Sequence, residues 1–405
     1  MQKFVQYAPT EIVFGQDAQS DTGKKVKKWG GSRVLIVFGG GSVVRSGLLK
    51  QVEDTLIEEG IVYEEFGGVH PNPLMGYAQK GVEEALAFDA DFILAVGGGS
   101  AIDTAKAIAI GTANSNATLE EIWEKQFIPK KSLPVGVVLT IAAAGSETSD
   151  SCVLTNEKTK KKGGLGTDLN RPKFAIMNPE LTYTLPKYQL TCGIVDIMMH
   201  TLDRYFTPAD IEKNQMTDRI AEEVLQTVIE NGQKALKDQT DYDCMSELMW
   251  CGSLSHNGLT GLGKPREFAV HKLGHVLSAT FDVAHGASLS AMWGAWARYV
   301  MMSKPDCFAQ YARKVWDVEE KDDIDAALQG IERTVAYFAS LGMPVNIPDM
   351  ELPDQQGKVG VLSDEALEAL ADQATLGDTI KISTLQPLDK KDVLAIYKMA
   401  NKKEQ

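Results

Sequence analysis

The chain has 405 residues, 44 % hydrophobic and 24 % charged, the make-up of a globular protein too long for one ordinary core, so two domains are expected. A formal charge of −14 excludes the broad basic footprint of a nucleic-acid binder, yet leaves room for an anionic cofactor held by a few local donors. No run of about 20 apolar residues is present to span a membrane, the opening MQKFVQYAPTEIVFG lacks a signal-peptide pattern, and five cysteines without a CxxC pair point to free thiols in a reducing cytoplasm.

In chain order, Val34–Phe38 reads as a buried strand, followed by Gly39-Gly40-Gly41-Ser42. A helix then places Leu48, Leu49, Val52, Leu56 and Ile57 on one face. A strand over Val62–Phe66 and a helix over Tyr77–Ala87 follow. Phe92–Val96 is a third strand, ending in Gly97-Gly98-Gly99-Ser100 and a helix over Ala101–Ile110; Pro134–Leu139 is a fourth strand. Strands alternating with helices imply a mostly parallel sheet covered on both faces. Past residue 185 strand-like runs nearly vanish, and helical patterns occupy 187–206, 212–236, 242–260, 265–280, 287–303, 324–342 and 363–374. The expected division is an α/β dinucleotide-binding domain over 1–185 and an all-helical domain over 186–405.

The two GGGS turns carry the first chemistry. Glycine lets the backbone approach a phosphate with no side chain between them, and a following helix offers free N–H groups. Neither turn is GxGxxG or a Walker loop, and one alone is an ordinary turn; two at strand ends in one α/β half point to a dinucleotide. Asp103 is placed in the first turn after Ser100, where a carboxylate favours the helix dipole; for Lys106, which follows the same turn, the plain alternative is a solvent-facing side chain. The stretch Thr140–Ser149 (TIAAAGSETS) offers small residues and hydroxyls for a cofactor groove. Lys158–Lys162 (KTKKK) reads as a solvated hairpin tip.

The second chemistry is a metal constellation. Asp196 and His200 are four apart in one helical stretch, His271 and His275 four apart in another, so each pair shares a face; His285 follows ten residues after His275. Asp196 interrupts an apolar run (Ile194, Val195, Ile197, Met198, Met199), where burying a carboxylate without a partner is costly. One carboxylate and three imidazoles form a donor set suited to Zn²⁺ or Fe²⁺. Asp196, His200, His271 and His285 make four ligands and leave His275 beside them to relay a proton near neutral pH. HKLGH resembles the HExxH of metalloproteases, but lysine replaces the glutamate base. His70 receives no role, and His256 is read as structural. A dinucleotide half and a metal half together point to hydride chemistry at a C–O bond, with the metal as Lewis acid.

These motifs carry a family resemblance over nearly the whole chain: FGGGS at 38–42, HPNP at 70–73, AVGGGSAIDTAKAIA at 95–109, AGSET at 144–148, GIVDIMMHTLDRYF at 193–206 and HKLGHVLSATFDVAHG at 271–286. The chain resembles the iron-containing (group III) alcohol dehydrogenases, in the branch of butanol dehydrogenases and broad aldehyde reductases. The resemblance implies the dehydroquinate synthase-like architecture of an α/β and a helical domain. It implies metal ligation by Asp196, His200, His271 and His285, and His275 beside the nicotinamide. It further implies pyrophosphate contacts from Gly97, Gly98, Gly99 and Ser100 with Asp103 nearby, Asn72 near the adenosine end, cofactor contacts from Thr140, Ser149 and Lys162, and a homodimer formed partly through the first strand. Short-chain primary alcohols and aldehydes are the implied substrates.

In NAD-preferring relatives an acidic residue after the first strand meets the adenosine ribose. Here that stretch is Gly39, Gly40, Gly41 and Ser42, with room for a 2′-phosphate and no carboxylate to repel it, so NADP(H) is expected over NAD(H). The family run TTxGTGSE reads TIAAAGSE here, so the family's hydroxyl contacts are not expected over Ala142–Ala144, and Trp293 and Trp296 follow His285-Gly286 where relatives often carry an apolar run with proline, a change of packing near the cleft. A glycerol-dehydrogenase-like enzyme or a sugar-phosphate cyclase would use three metal ligands, and a non-catalytic nucleotide-binding sensor would have lost one. Four candidates together favour the alcohol dehydrogenase.

Overall fold

The structure, a computed structural model, describes residues 1–353 and 356–402. The chain separates into two units: Tyr7–Leu185 with Gln239–Ser253, and Pro186–Asp238 with Met1–Gln6 and the chain from Leu254 onward. Relative to a single cut at residue 185, segments 1–6 and 239–253 thus change sides.

The α/β unit runs β1 (Glu11–Phe14), α1 (Thr22–Lys28), β2 (Arg33–Phe38), α2 (Ser42–Arg45), α3 (Leu48–Glu58), β3 (Val62–Phe66), α4 (Met75–Ala87), β4 (Phe92–Gly97), α5 (Gly99–Ala113), α6 (Leu119–Trp123), β5 (Val135–Leu139), β6 (Ser151–Asn156), β7 (Lys161–Gly166) and β8 (Phe174–Met177). Among the described residues, six strands form one sheet in the order β1-β8-β5-β4-β2-β3. All its pairings are parallel. β4, β5 and β8 are buried along their whole length, which is why they read as unbroken apolar runs rather than alternating ones. β3, the outer neighbour of β2, carries Glu64 and Glu65 on an exposed edge. Val34, Ile36, Leu94, Val96, Val138 and Ile176 form a core with Val52 and Leu56 of α3. β6 and β7 form a separate antiparallel hairpin, with Lys158 and Lys160 at its exposed tip as the KTKKK run suggested.

The sheet contains a switch point. From β2 the chain moves outward to β3, then returns to lay β4 on the other side of β2, and continues to β5. The C-terminal ends of β2 and β4 are therefore adjacent, with Phe38 opposite Val96. Such a reversal opens a crevice at the strand C-termini in doubly wound sheets.

The remaining helices are α7 (Lys187–Tyr205), α8 (Gln215–Lys237), α9 (Tyr242–His256), α10 (Ala269–Phe281), α11 (His285–Val300), α12 (Pro305–Val315), α13 (Asp323–Ser340), α14 (Asp364–Ala374) and α15 (Lys390–Ala400). Most of α9 packs with the α/β unit, where Trp250 meets Phe14 edge-on at 6.4 Å. α11 runs through the helical core: Trp293 and Trp296 are fully buried and pack around Phe206, Phe308, Tyr311 and Phe338. These tryptophans fill the core of the helical unit, on the helix that begins at His285. No described helix is long and apolar enough to cross a membrane.

Candidate metal centre and nucleotide turns

Three helices of the helical unit supply the metal constellation. α7 is buried almost throughout, and at 3.6 residues per turn Asp196, His200 and Asp203 fall on one stripe. α10 brings His271, and α11 begins at His285. Gly286 makes the approach of α11 to α7 possible: a Cβ there would lie 2.3 Å from the Cys192 carbonyl oxygen and 2.6 Å from its Cα. Any larger residue would push α11 outward and carry His285 away from Asp196.

The imidazole Nε2 atoms of His200, His271 and His285 lie 3.5, 3.7 and 3.8 Å from a single oxygen, Asp196 Oδ1. Ligands about 2.1 Å from a shared tetrahedral ion stand about 3.4 Å apart, so the spacing suits a cation better than direct hydrogen bonds. Asp196, His200 and His271 are all buried, with their donor atoms within 4.8 Å of one another. Asp196 Oδ1 and His271 Nε2 have no hydrogen-bond partner among the described residues. Leaving two such atoms buried is expensive, and a divalent cation would satisfy both. The fit to the expected ion is therefore good in donor type, spacing and unmet valence.

Surrounding groups orient this set. His271 Nδ1 is 2.6 Å from Asp203 Oδ2, a buried carboxylate–imidazole bond of the kind that fixes the tautomer of a ligating histidine. Arg204 Nη1 donates to the His200 carbonyl at 2.6 Å. The His256 ring stacks on His200 at 3.9 Å and 28°. Burial, reinforced by the neighbouring imidazoles of His256 and His271, holds His200 well below its usual pKa, so it stays neutral with a lone pair to give. For His271 burial also opposes the cation, but Asp196 and Asp203 outweigh it and raise the pKa; a metal ion would replace that proton. His275, half-buried, flanks the cluster with its ring 5.2 Å from that of His285 and 6.1 Å from that of His271. Asp203 was missed at the sequence level, although its spacing of seven from Asp196 put it on the same stripe.

In the α/β unit, Gly39–Ser42 follow β2 and Gly97–Ser100 join β4 to α5, on either side of the switch point. Thr140 follows β5, its N–H donating to the Gly97 carbonyl at 3.2 Å. Lys162 Nζ donates to Asn72 Oδ1 at 2.8 Å, so two expected cofactor residues 90 positions apart are neighbours. Ser149 is fully buried, with its hydroxyl 3.3 Å from Lys106 Nζ.

Two readings require correction. Lys106 does not face solvent: it is completely buried, donating to the carbonyls of Ser146 at 2.7 Å and Ser151 at 2.8 Å and to Ser146 Oγ at 2.9 Å. Asp103 lies in the second turn of α5, since the helix starts at Gly99. It accepts from Ser146 Oγ at 2.6 Å and Val153 N–H at 2.9 Å. Burial pushes the Asp103 carboxyl up and the Lys106 ammonium down, each partly offset by the other's charge. Together they tie residues 146–153 to the helix that opens at Gly99.

Comparison with known proteins agrees with this geometry. Residues 9–179 match the iron-containing alcohol dehydrogenase family and residues 191–401 its C-terminal region. The chain is 38 % identical over 392 residues to the NADH-dependent butanol dehydrogenase A of Clostridium acetobutylicum, covering 96 % of this chain and 97 % of that protein. It is 36 % identical over 359 residues to the NADPH-dependent aldehyde reductase YqhD of Escherichia coli, covering 87 % and 90 %. The crystal structure of a butanol dehydrogenase A from Thermotoga maritima superposes with a TM-score of 0.92 at 32 % identity, over 99 % of both chains. The chain belongs to the iron-containing alcohol dehydrogenase family.

Proposed function

We propose that this chain interconverts short-chain primary alcohols and aldehydes of butanol and butanal type, using NADP(H) and one divalent cation, Fe²⁺ or Zn²⁺, held by Asp196, His200, His271 and His285. Its family makes it a nicotinamide-dependent oxidoreductase acting as alcohol dehydrogenase or aldehyde reductase. The observation that carries the ligand assignment is the convergence of three imidazole nitrogens on one buried, otherwise unpartnered carboxylate oxygen. A divalent cation there supplies Lewis-acid polarisation of a C–O bond, and the nicotinamide supplies or accepts the hydride.

The chain's own residues do the rest. Asp203 orients His271. His275 passes a proton to or from the substrate oxygen, an imidazole being the side chain with a pKa nearest neutrality. Gly97, Gly98, Gly99 and Ser100 accept the pyrophosphate. Gly39, Gly40, Gly41 and Ser42 face the adenosine ribose, and Asn72, Asp103, Thr140, Ser149 and Lys162 bind or support the nucleotide. Relatives are named for NADH and for NADPH; the turn at 39–42, with no carboxylate, favours NADP(H). On this reading residues 1–185 are the dinucleotide-binding domain and 186–405 the metal-binding catalytic domain. The enzyme works in the cytoplasm as a homodimer, for which β1, at the edge of the sheet, offers a backbone edge to a second copy.

The test is NADPH consumption with butanal by the purified protein, with elemental analysis of the same sample. Turnover lost to a chelator and restored by Fe²⁺ or Zn²⁺ is expected. No turnover of butanal or related aldehydes after reconstitution with either ion would refute the proposal.

A further inference from the structure

The turn after β2 contains a cation that the sequence reading passed over. Arg45 ends the single turn of α2, and its guanidinium folds back so that Nη1 is 3.3 Å from where a Cβ on Gly41 would stand. Gly41 has φ +97°, a conformation that glycine adopts without strain, and beside Gly40 there is open space. From Phe38 to Val52 the chain has no Asp or Glu. The nearest other cation, Lys50, is paired with Asp54. Arg45 has no ion-pair partner among the described residues.

The sheet order gives this arginine its meaning. β4 and α5 are joined by Gly97–Ser100, the turn suited to a pyrophosphate. In a doubly wound sheet, the end of the neighbouring strand on the side away from the rest of the sheet reads the ribose 2′ position: an acid there binds a 2′-hydroxyl, an arginine accommodates a 2′-phosphate. Here that neighbour is β2, followed only by β3. We propose that Arg45, with the side-chain-free backbone at Gly40 and Gly41, forms a subsite for the 2′-phosphate of NADP(H) and sets the preference over NAD(H). This rests on the reading that a dinucleotide occupies the switch-point crevice. A guanidinium presents paired donors to phosphate oxygens and stays charged at every working pH, whereas the 2′-hydroxyl of NAD(H) gives it no anion to bind.

The experiment titrates the purified holoenzyme with NADPH and with NADH, following nucleotide fluorescence, in the wild type, Arg45→Ala and Arg45→Lys. The wild type is expected to bind NADPH the more tightly. Arg45→Ala should weaken NADPH binding by about tenfold or more and leave NADH within twofold, and Arg45→Lys should restore part of the loss. 2′,5′-ADP should displace NADPH from the wild type at lower concentration than 5′-ADP does, and that advantage should vanish in Arg45→Ala. Unchanged NADPH affinity in Arg45→Ala, or an equal loss for both nucleotides, would overturn the assignment while leaving the dinucleotide reading intact. A wild type that binds neither nucleotide would overturn that reading and the subsite with it.

Discussion

Replacing Asp203 by Asn tests whether the metal centre depends on a charge one shell away from the ion. The Asp203 carboxylate is 1 % exposed and accepts from His271 Nδ1 at 2.6 Å; its second oxygen, Oδ1, has no hydrogen-bond partner among the described residues. The charge is thus directed at one imidazole, in a medium that screens it poorly. Asparagine keeps the shape and can still accept from Nδ1–H, so what is lost is the charge and the basicity it lends to Nε2. A charged hydrogen bond contributes about 1.5–3 kcal/mol, against about 1 for a neutral one. Loss of a carboxylate behind a ligating histidine typically costs 10- to 100-fold in metal affinity, or about 1.4–2.7 kcal/mol. The amide nitrogen would meanwhile occupy the place of Oδ1 without an acceptor, so the metal-free protein should lose about 1 kcal/mol of stability as well. The assay is competition for Zn²⁺ against a chromophoric chelator, with thermal unfolding of the metal-free protein in parallel. A folded Asp203→Asn variant whose metal affinity stayed within twofold of the wild type would refute the claim that Asp203 tunes the site.

His271→Ala should abolish metal retention and leave NADPH binding intact, whereas His275→Ala should keep the ion by elemental analysis and lose turnover; a metal-free His275→Ala protein would make that residue a ligand. Lys106→Met removes a buried ammonium, its short bonds to the carbonyls of Ser146 and Ser151 and the counter-charge of Asp103, with an expected loss of about 2–4 kcal/mol in urea unfolding; an unchanged midpoint would contradict the role given to Lys106. Glu11 is held at a pKa of about 2 by Lys25 and then Lys28, below its unfolded value, so its contribution is present above pH 4.5 and disappears as pH falls towards 2. Because the pair is near solvent, Glu11→Gln should cost only about 0.5–1 kcal/mol at pH 7, and the gap from wild type should close at pH 2; a gap constant with pH would refute the charge argument.

Legibility in the sequence followed the range of each signal. β2, β3, β4 and β5 appear within about a residue of their expected positions: β2, β4 and β5 because short buried apolar runs bounded by glycine or proline declare themselves locally, and β3 because its β-branched and aromatic residues lie between two turns. β1 and β8 do not, being four residues each, too short to show a period and fixed by long-range pairing, β1 on β8 across 163 positions of chain and β8 on β5. α12 and α15, 11 residues each, also went unread, although Pro305 opens one and the Asp389–Asp392 capping box opens the other. The metal residues were readable because histidine is rare here and Asp196 breaks an apolar run. Lys106 was not: three residues beyond Asp103 on an alanine-rich helix, it carries no mark of burial until the loop at 146–151 closes over it.

Lys106 also sharpens what distinguishes a ligand site from costly structure. Both units bury charge: α5 buries Lys106 beside a partly buried Asp103, and α7 buries Asp196, His200 and Asp203. Burial alone therefore points to neither function nor its absence. The difference lies in how the bonding closes. Around Lys106 the ammonium finds oxygens of Ser146, Ser149 and Ser151, and Asp103 finds Ser146 and Val153, so the network is complete within the chain and asks for nothing else. Around Asp196 the donor atoms face one another across 3.5–3.8 Å, too far for good hydrogen bonds, and two of them meet no partner among the described residues. Two buried imidazoles, a third half-buried one and a carboxylate oxygen in that arrangement are unstable against any cation that can bridge them. The first cluster should accordingly leave protein stability indifferent to added Zn²⁺ or Fe²⁺, while the second should make the unfolding temperature rise with the concentration of either ion.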